Sequence, residues 1–131
     1  MATLERVLHV EDDMSIRMVT SVALEKVGKL KVLSCESGPI ALEKAAGFDP
    51  QVLLLDVTMP QMDGPTTLKH LREKLDVSKR LVLFMTAKVQ QKELDEYLGI
   101  GAFAVIIKPF DPMTLARQIQ DHWANFQKTL G

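Results

Sequence analysis

The chain has 131 residues, 47% of them hydrophobic and 25% charged, which matches a single globular domain of about 100–150 residues. Sixteen Lys and Arg against seventeen Asp and Glu give a formal net charge of −1, which excludes binding of nucleic acid or anionic lipid through bulk charge. The single Cys35 excludes an internal disulfide, and no signal peptide or apolar run of the ~20 residues that cross a bilayer is present, so we expect a cytoplasmic protein with no membrane insertion.

Five short apolar runs recur along the chain and predict five β-strands. Four of them are almost continuously apolar, as strands buried on both faces of a parallel sheet are. The second run is more mixed and predicts a strand at the edge of the sheet. The runs cover residues 7–10, 31–35, 52–55, 81–85 and 104–107.

The segments between these runs predict helices. Apolar positions recur at three- and four-residue spacing from Met14 to Val27, and Gly28 follows as a stop signal. Ser37 can cap a second helix that Gly47 ends, and Pro65 suits the first turn of a third. The five predicted helices cover about 14–27, 37–47, 63–75, 90–98 and 112–126.

The order of the predicted elements is that of an α/β protein, (βα)5. Strands that alternate with helices pair in parallel through right-handed crossovers, which gives a doubly wound five-stranded parallel sheet in three αβα layers. Ligands of such sheets bind outside the carboxyl ends of the strands, at the point where the strand order reverses. The residues that follow each strand are therefore the candidates for function.

Four acidic residues follow two of the predicted strands. Glu11, Asp12 and Asp13 end the first strand and Asp56 ends the third. Clustered carboxylates raise one another's pKa unless a cation lies among them, and Mg²⁺ is a hard cation that prefers carboxylate oxygens. Asp13 directly precedes a predicted helix and is better explained as its N-cap. No helix begins directly after Asp56, so Asp56 is not explained as an N-cap. A role in metal binding or in a reaction explains it better.

Two further polar residues follow the fourth and fifth predicted strands, Thr86 and Lys108. Taken singly, such a threonine is usually a cap and such a lysine a solvated charge. At one edge of the sheet with Asp12 and Asp56, however, they complete a set typical of phosphoryl transfer. The set holds metal-binding acids, a carboxylate nucleophile, a hydroxyl donor and an ammonium that balances phosphate charge.

These residues resemble the receiver domain of two-component response regulators, often called CheY-like, which has the flavodoxin-like fold. The resemblance covers about residues 5–127. Its most specific part is Asp56 followed by Met59-Pro60 and by Met62-Asp63-Gly64. The motifs that carry it, in order, are Val10-Glu11-Asp12-Asp13, Leu54 to Gly64, Met85-Thr86-Ala87 and Lys108-Pro109-Phe110.

The resemblance implies a magnesium-dependent phospho-acceptor site. Asp56 accepts the phosphoryl group of a phosphohistidine or of a small donor such as acetyl phosphate. Asp12, Asp56 and the backbone carbonyl of Thr58 bind Mg²⁺, for which Mn²⁺ or Ca²⁺ substitutes in vitro. Glu11 acts beside the metal, through water rather than as a direct ligand.

The same resemblance implies a switch. Thr86 supplies the hydroxyl that moves to the phosphoryl group, and Lys108 forms an ion pair with that group. The bond between Lys108 and Pro109 is typically cis in the family. Thr58 and Lys88 border the path of the attacking water and tune the phosphoryl lifetime.

The implied partners are proteins. A histidine kinase or histidine phosphotransfer protein supplies the phosphoryl group, and a downstream protein target binds through helix 4, strand 5 and helix 5, without direct contact to nucleic acid. Val105 stands where the family commonly has Tyr or Phe, and a β-branched side chain has no ring to move. We expect Phe103 to face the other side of the sheet and, exposed beside Ile100, to offer an apolar contact to a partner.

The predicted function is a signalling switch and not an enzyme: a single receiver that fills residues 1–131, with a core of about 5–127 and no output domain of its own. One alternative is an aspartyl-phosphate phosphatase like the haloacid dehalogenases. Those enzymes place a second acid two residues after the nucleophile, where this chain has Thr58. The other alternative is a receiver fragment of a larger multidomain regulator.

Overall fold

A computed structural model describes residues 3–87 and 89–130 of the chain and contains the predicted parallel sheet. The strand order is β2-β1-β3-β4-β5, so the second strand lies at an edge, as predicted. All neighbouring pairs run parallel, and the predicted strand bounds are correct to within one residue. The strands are β1 (Arg6–Val10), β2 (Lys31–Cys35), β3 (Val52–Asp56), β4 (Leu81–Thr86) and β5 (Ala104–Ile107).

Five α-helices connect the strands in the described residues, together with a π-helical turn and a 3-10 turn. No helix of this part of the chain is both long and apolar enough to cross a membrane. The α-helices are α1 (Met14–Val22), α2 (Gly38–Phe48), α3 (Gly64–Leu71), α4 (Gln91–Gly99) and α5 (Leu115–Leu130), with the π-turn at Ala23–Val27 and the 3-10 turn at Val77–Lys79.

Several helix boundaries differ from the sequence prediction. The third helix ends at Leu71 and not at residue 75, because i to i+3 bonds such as Glu73 N to His70 O at 3.1 Å close the next turn, and the fifth continues past residue 126 to Leu130. The first predicted helix changes into the π-turn after Val22. The second runs past Gly47 to Phe48, because Asp49 adopts a left-handed conformation, with φ of 54°, and ends the helix there. The fifth begins at Leu115 rather than Pro112, after a turn in which the Asp111 carbonyl accepts from the N–H groups of both Thr114, at 3.1 Å, and Leu115, at 3.0 Å.

The predicted helix caps form where the helices begin. The Asp13 carboxylate accepts a hydrogen bond from Ile16 N at 3.0 Å, so its interpretation as an N-cap is confirmed. Ser37, the other predicted cap, accepts one from Ile40 N at 3.3 Å, and Asp63 caps α3 by accepting from Thr66 N at 2.8 Å, which was not predicted. Each cap satisfies a backbone N–H that has no partner within its helix.

Helices cover both faces of the sheet, which gives the three predicted layers. Successive strand residues point to opposite faces, so Leu54 and Leu83 pack with α5 and the π-turn, whereas Leu53 and Leu55 pack with α2 and α3. Every side chain of β3 is buried. The central strand therefore holds its last residue rigidly at the edge where the loops meet.

Gly64 packs against the backbone of the residue that ends β3. A Cβ at Gly64 would lie 2.4 Å from the Asp56 carbonyl oxygen, whereas one at Gly47 would meet nothing within 4 Å. We expect Gly64→Ala to lower the free energy of unfolding by roughly 1–3 kcal/mol, since the backbone has to shift. Gly47→Ala in α2 is the control and should raise it by about 0.5–1 kcal/mol. Urea denaturation measures both, and equal effects would contradict the close contact at Gly64.

Candidate functional site

The strand register brings the predicted site residues together at the carboxyl edge of the sheet. Val10 of β1 is paired with Leu55 of β3, so the acids that follow Val10 lie beside Asp56. Asp56 is paired with Met85, directly before Thr86. Strand β5 pairs with the other side of β4 and ends at Ile107, so Lys108 directly follows it at the same edge of the sheet. The four strand ends predicted from sequence thus form one site.

Lys108 connects the two buried acids. Its Nζ atom donates to Asp56 Oδ1 at 2.7 Å and to Glu11 Oε1 at 3.1 Å. The peptide bond between Lys108 and Pro109 is cis, as the family resemblance implied. The Lys108 N–H also donates to the Thr86 carbonyl at 2.8 Å, which fixes the start of the β5–α5 loop against the end of β4.

Burial makes these charges costly. Glu11 and Asp56 are 1% and 3% exposed. Burial, followed by the neighbouring Asp56 carboxylate, raises the pKa of Glu11 to about 7. Burial also raises the pKa of Asp56, against the opposing effect of its hydrogen bond with Lys108. Both pKa values are raised although Lys108 contacts both carboxylates, so one lysine does not fully offset the cost of burying two acids side by side.

Carboxylate oxygens of Glu11, Asp12 and Asp56 all lie within 4.8 Å of one another. Asp12 is exposed while the other two are buried, so a cation could enter from solvent at Asp12 and still contact the two buried carboxylates. All three donors are hard oxygens, the ligands that Mg²⁺ prefers, and the arrangement leaves room for water and phosphate oxygens. The donor set therefore fits the predicted metal.

Burial pushes the pKa of Lys108 down, but its hydrogen bonds to Asp56 and Glu11 outweigh this and raise it. The ammonium therefore stays charged throughout the neutral pH range. It contacts the same Asp56 carboxylate that forms the acidic cluster with Glu11 and Asp12.

The remaining predicted residues occupy more peripheral positions. Thr86 is partly buried at the end of β4, and Thr58 is exposed in the loop after Asp56. Lys88, which was expected to tune the phosphoryl lifetime, lies outside the described residues. Asp13 acts as the helix cap and is hydrogen-bonded to the Glu11 carboxylate through its own N–H at 3.2 Å.

Arg17 belongs to the site and was missed by sequence reasoning. Its Nη1 atom donates to the backbone carbonyls of Glu11 at 2.8 Å and Asp12 at 3.2 Å. These bonds tie the acidic loop to the first turns of α1. The sequence gives one weak indication of this role, because Arg17 follows the acidic residues at the end of β1 by about one and a half helical turns. Many arginines that contact only solvent occupy a similar position.

Phe103 and Val105 pack on opposite sides of the sheet. Phe103 packs with α5, and Val105 packs with the cluster that contains Phe84 and Tyr97. The expectation of an exposed Phe103 is wrong, because its ring lies edge-on to Phe126 at a centroid distance of 5.6 Å. Strand alternation does not apply to Phe103, which lies in a bend before β5.

An aromatic side chain does occur near Val105. The Tyr97 ring of α4 packs edge-to-face on Phe84 at a centroid distance of 5.3 Å. None of the α4 residues is fully buried, so Tyr97 is a main contact of this helix with the sheet. Phe84 precedes Thr86 by two residues on β4 and points to the same face.

His9 is buried on β1, two residues before Glu11. Burial, followed by the positive charges of Lys108 and Arg17, lowers the pKa of His9 to about 3. Neither ring nitrogen has a hydrogen-bond partner in the described part of the chain. His9 is therefore a core residue whose ring nitrogens are not hydrogen-bonded to protein groups of the described residues.

A family model and two known proteins match most of this chain and agree on the kind of domain it forms. The family model described as "Response regulator receiver domain" matches residues 7–120. The chain is 35% identical over 105 residues to the chemotaxis protein CheY of Bacillus subtilis, which covers 80% of this chain and 86% of that protein. It is 35% identical over 111 residues to the regulatory protein AtoC of Escherichia coli, of which it spans only 23%.

The fold is similar to solved structures of the same kind. The chemotaxis protein CheY4 of Vibrio cholerae superposes with a TM-score of 0.83 at 31% sequence identity, covering 91% of this chain and 98% of that chain. The similarity thus extends over nearly the whole sheet and its helices.

Proposed function

Because the chain belongs to the response regulator receiver family, we propose that Asp56 accepts a phosphoryl group from a histidine kinase or a histidine phosphotransfer protein. The phosphorylated chain then binds a downstream protein through α4, β5 and α5. The observation that carries the proposal is the buried Asp56 carboxylate held by Lys108 at 2.7 Å beside Glu11 and Asp12. We place this exchange in the cytoplasm.

The chemistry follows from the charges around Asp56. An oxygen of the Asp56 carboxylate attacks the phosphorus, the bond from phosphorus to the donor's imidazole nitrogen breaks, and the nitrogen keeps the electron pair. A Mg²⁺ bound directly by Asp12, Asp56 and the Thr58 carbonyl, with Glu11 acting through water, would neutralise the phosphoryl oxygens; Mn²⁺ or Ca²⁺ should replace it in vitro. Lys108 orients Asp56 before transfer and pairs with the added charge afterwards.

The switch begins at Thr86. The phosphoryl group adds negative charge and acceptor oxygens at the end of β3, and the hydroxyl of Thr86, at the end of the next strand, is suited to donate to it. Movement of Thr86 changes the end of β4 and the loop that leads to α4. Since Val105 has no ring to relocate, Tyr97 and its contact with Phe84 are the aromatic parts of this surface.

The chain is a switch and not a phosphatase in this proposal. A hydrolase of the haloacid dehalogenase kind needs a second acid two residues after the nucleophile, and Thr58 cannot act as one. We propose one receiver domain over residues 1–131. In AtoC the matching region is only 23% of a longer protein, so we propose that the receiver acts either alone or as part of a larger regulator.

A labelling experiment separates the switch from the hydrolase. With acetyl phosphate and Mg²⁺, we expect at most one phosphoryl group per chain, detected by intact mass, and no label when EDTA removes the metal. With p-nitrophenyl phosphate, we expect no sustained release of nitrophenol. Many turnovers on the second substrate would favour the hydrolase, and labelling that survives EDTA would contradict the role of the acidic cluster.

A further inference from the structure

A pocket of about 360 Å³ lies at the amino edge of the sheet, at the opposite end from the proposed phospho-acceptor site. Arg6 is the first residue of β1, and Gln51 and Arg80 directly precede β3 and β4, so three strand starts contribute to its walls. Trp123 and Leu130 line it from the second half of α5. None of these residues takes part in the proposed phosphoryl transfer.

Both arginine side chains are held in place by hydrogen bonds to protein oxygens. Arg80 Nη1 donates to Asp49 Oδ1 and to the Pro50 carbonyl, each at 2.6 Å. Its Nε donates to the Asp76 carbonyl at 3.0 Å. Arg6 Nε donates to the Asp49 carbonyl at 2.7 Å. A guanidinium that is already fixed loses little side-chain freedom when a ligand binds, so the pocket is prepared for an anion.

Two of the basic side chains keep donors that the protein does not use. A guanidinium has five N–H donors, and the bonds of Arg80 involve Nε and Nη1 only. In the part of the chain that the structure describes, no protein group accepts a hydrogen bond from Arg80 Nη2 or from Nζ of Lys79. Lys79 is exposed and lines the same pocket. Two neighbouring cations therefore have donors available to a carboxylate.

The pocket has an excess of one positive charge. Three basic side chains line it, Arg6, Lys79 and Arg80, and two acidic ones, Asp49 and Asp76. The hydrogen bond from Arg80 lowers the pKa of Asp49, and hydrogen bonds from the 3-10 turn lower the pKa of Asp76, so both acids are ionised at neutral pH. A ligand with a single negative charge balances this excess, whereas a phosphate monoester with two charges would exceed it.

The rest of the pocket wall is largely apolar. Trp123, which is only 7% exposed, lines it together with Leu130 and Pro50. Sites for small organic ligands typically combine apolar walls with a few polar groups that fix the orientation of the ligand. A flat aromatic ring packs well against an indole, either offset-stacked or edge-on. The volume suits a ligand of about one ring and one acid group, since it lies at the small end of the range for ligand pockets.

We propose that this pocket binds an aromatic carboxylate with one negative charge, whose carboxylate pairs with Arg80 and Lys79 and whose ring contacts Trp123. The site lies at the other edge of the sheet from Asp56, so the proposal does not depend on the proposed function. A bound ligand would connect the starts of β3 and β4 to α5 and would stabilise the folded chain. The pocket would give the domain an input separate from phosphorylation.

The test uses the fluorescence of Trp123, which is the single tryptophan of the chain and lines the pocket. The full-length chain is titrated with benzoate at constant ionic strength, with excitation at the red edge of the indole absorption band, where benzoate does not absorb. Three matched compounds separate the contributions of the ligand. Benzamide has the same ring without the charge, acetate has the charge without the ring, and phenyl phosphate has the ring with two charges.

Three variants test the charged side of the pocket. Arg80→Gln and Lys79→Gln each remove one cation, and Arg117→Gln is the control, because Arg117 is exposed on α5 and does not line the pocket. Thermal melting checks that each variant is folded. Arg80 also holds the Asp49 and Pro50 segment, so Lys79→Gln carries the test if Arg80→Gln fails to fold.

We expect benzoate to change the fluorescence of wild type in a saturable way, with a Kd of about 1 mM or tighter. Benzamide, acetate and phenyl phosphate should each bind at least about threefold more weakly. Arg80→Gln should weaken benzoate binding at least about tenfold and Lys79→Gln at least about threefold, because each removes a charged partner of the carboxylate. Arg117→Gln should bind benzoate within about twofold of wild type.

Four results would overturn the proposal. They are a fluorescence change that rises linearly with benzoate and never saturates, binding of benzamide as tight as that of benzoate, tighter binding of phenyl phosphate than of benzoate, and an unchanged Kd in Lys79→Gln and in folded Arg80→Gln. Labelling of Asp56 by acetyl phosphate is measured separately, so failure of the pocket and failure of the proposed function are distinguishable.

Discussion

Asp56→Asn is expected to abolish phosphoryl incorporation from acetyl phosphate. An amide is a very poor nucleophile compared with a carboxylate, and no other acid of the cluster occupies the position that Lys108 contacts at 2.7 Å. Asparagine has nearly the same shape as aspartate, and its carbonyl oxygen can still accept the hydrogen bond from Lys108. The substitution therefore removes the reaction while it keeps the packing of β3. We expect a loss of at least about 10³-fold in the labelling rate, measured by intact mass against time.

Asp13→Asn is the matched control, because it makes the same chemical change at a neighbouring acid. Asparagine caps helices about as well as aspartate, so α1 should begin at the same residue. We expect a labelling rate within about twofold of wild type. A mutant at position 56 that is labelled as fast as this control would show that another residue accepts the phosphoryl group.

Lys108→Gln is expected to slow labelling by about 10²–10³-fold, which is the usual cost of removing one preorganised donor from a site where charge develops. The ammonium contacts both buried acids, Glu11 and Asp56, and holds the acceptor carboxylate in place. Its pKa is raised by those contacts, so it is charged at every pH at which the reaction would be measured. Glutamine keeps much of the length of the side chain but has no charge to pair with the phosphoryl group.

Lys69→Gln is the control for the loss of a lysine. Lys69 is exposed on α3 and should not affect the rate. The initial rate of labelling with saturating Mg²⁺ distinguishes the two variants. A rate for Lys108→Gln within threefold of wild type would contradict the role assigned to the Lys108 ammonium.

The sheet and the site were predictable from the sequence because both depend on local patterns. Each apolar run is followed directly by a polar residue, and parallel pairing then places these strand ends at one edge of the sheet without further information. Glu11, Asp56 and Lys108 are far apart in the chain, yet their positions directly after strands were enough to bring them together. The Asp13 cap was predictable for the same reason, since it depends only on the helix that follows it.

The features that the sequence did not reveal depend on geometry between elements. The apolar spacing from Met14 to Val27 is that of an ordinary α-helix, so the change to a π-turn at Ala23 was not predicted. Arg17 acts through backbone carbonyls, which no residue pattern records. The side of the sheet that Phe103 faces was predicted, but its contact with Phe126 of α5 was not, because that contact depends on where the helix packs.

The most direct test of the central claim is to locate the phosphoryl group on wild type. The chain is labelled with acetyl phosphate and Mg²⁺, treated with sodium borohydride, which reduces an aspartyl phosphate to homoserine, and digested for mass spectrometry. The account predicts homoserine at position 56 and unchanged aspartate at positions 12 and 13. Homoserine at another position, or a labelled chain without any homoserine, would contradict it.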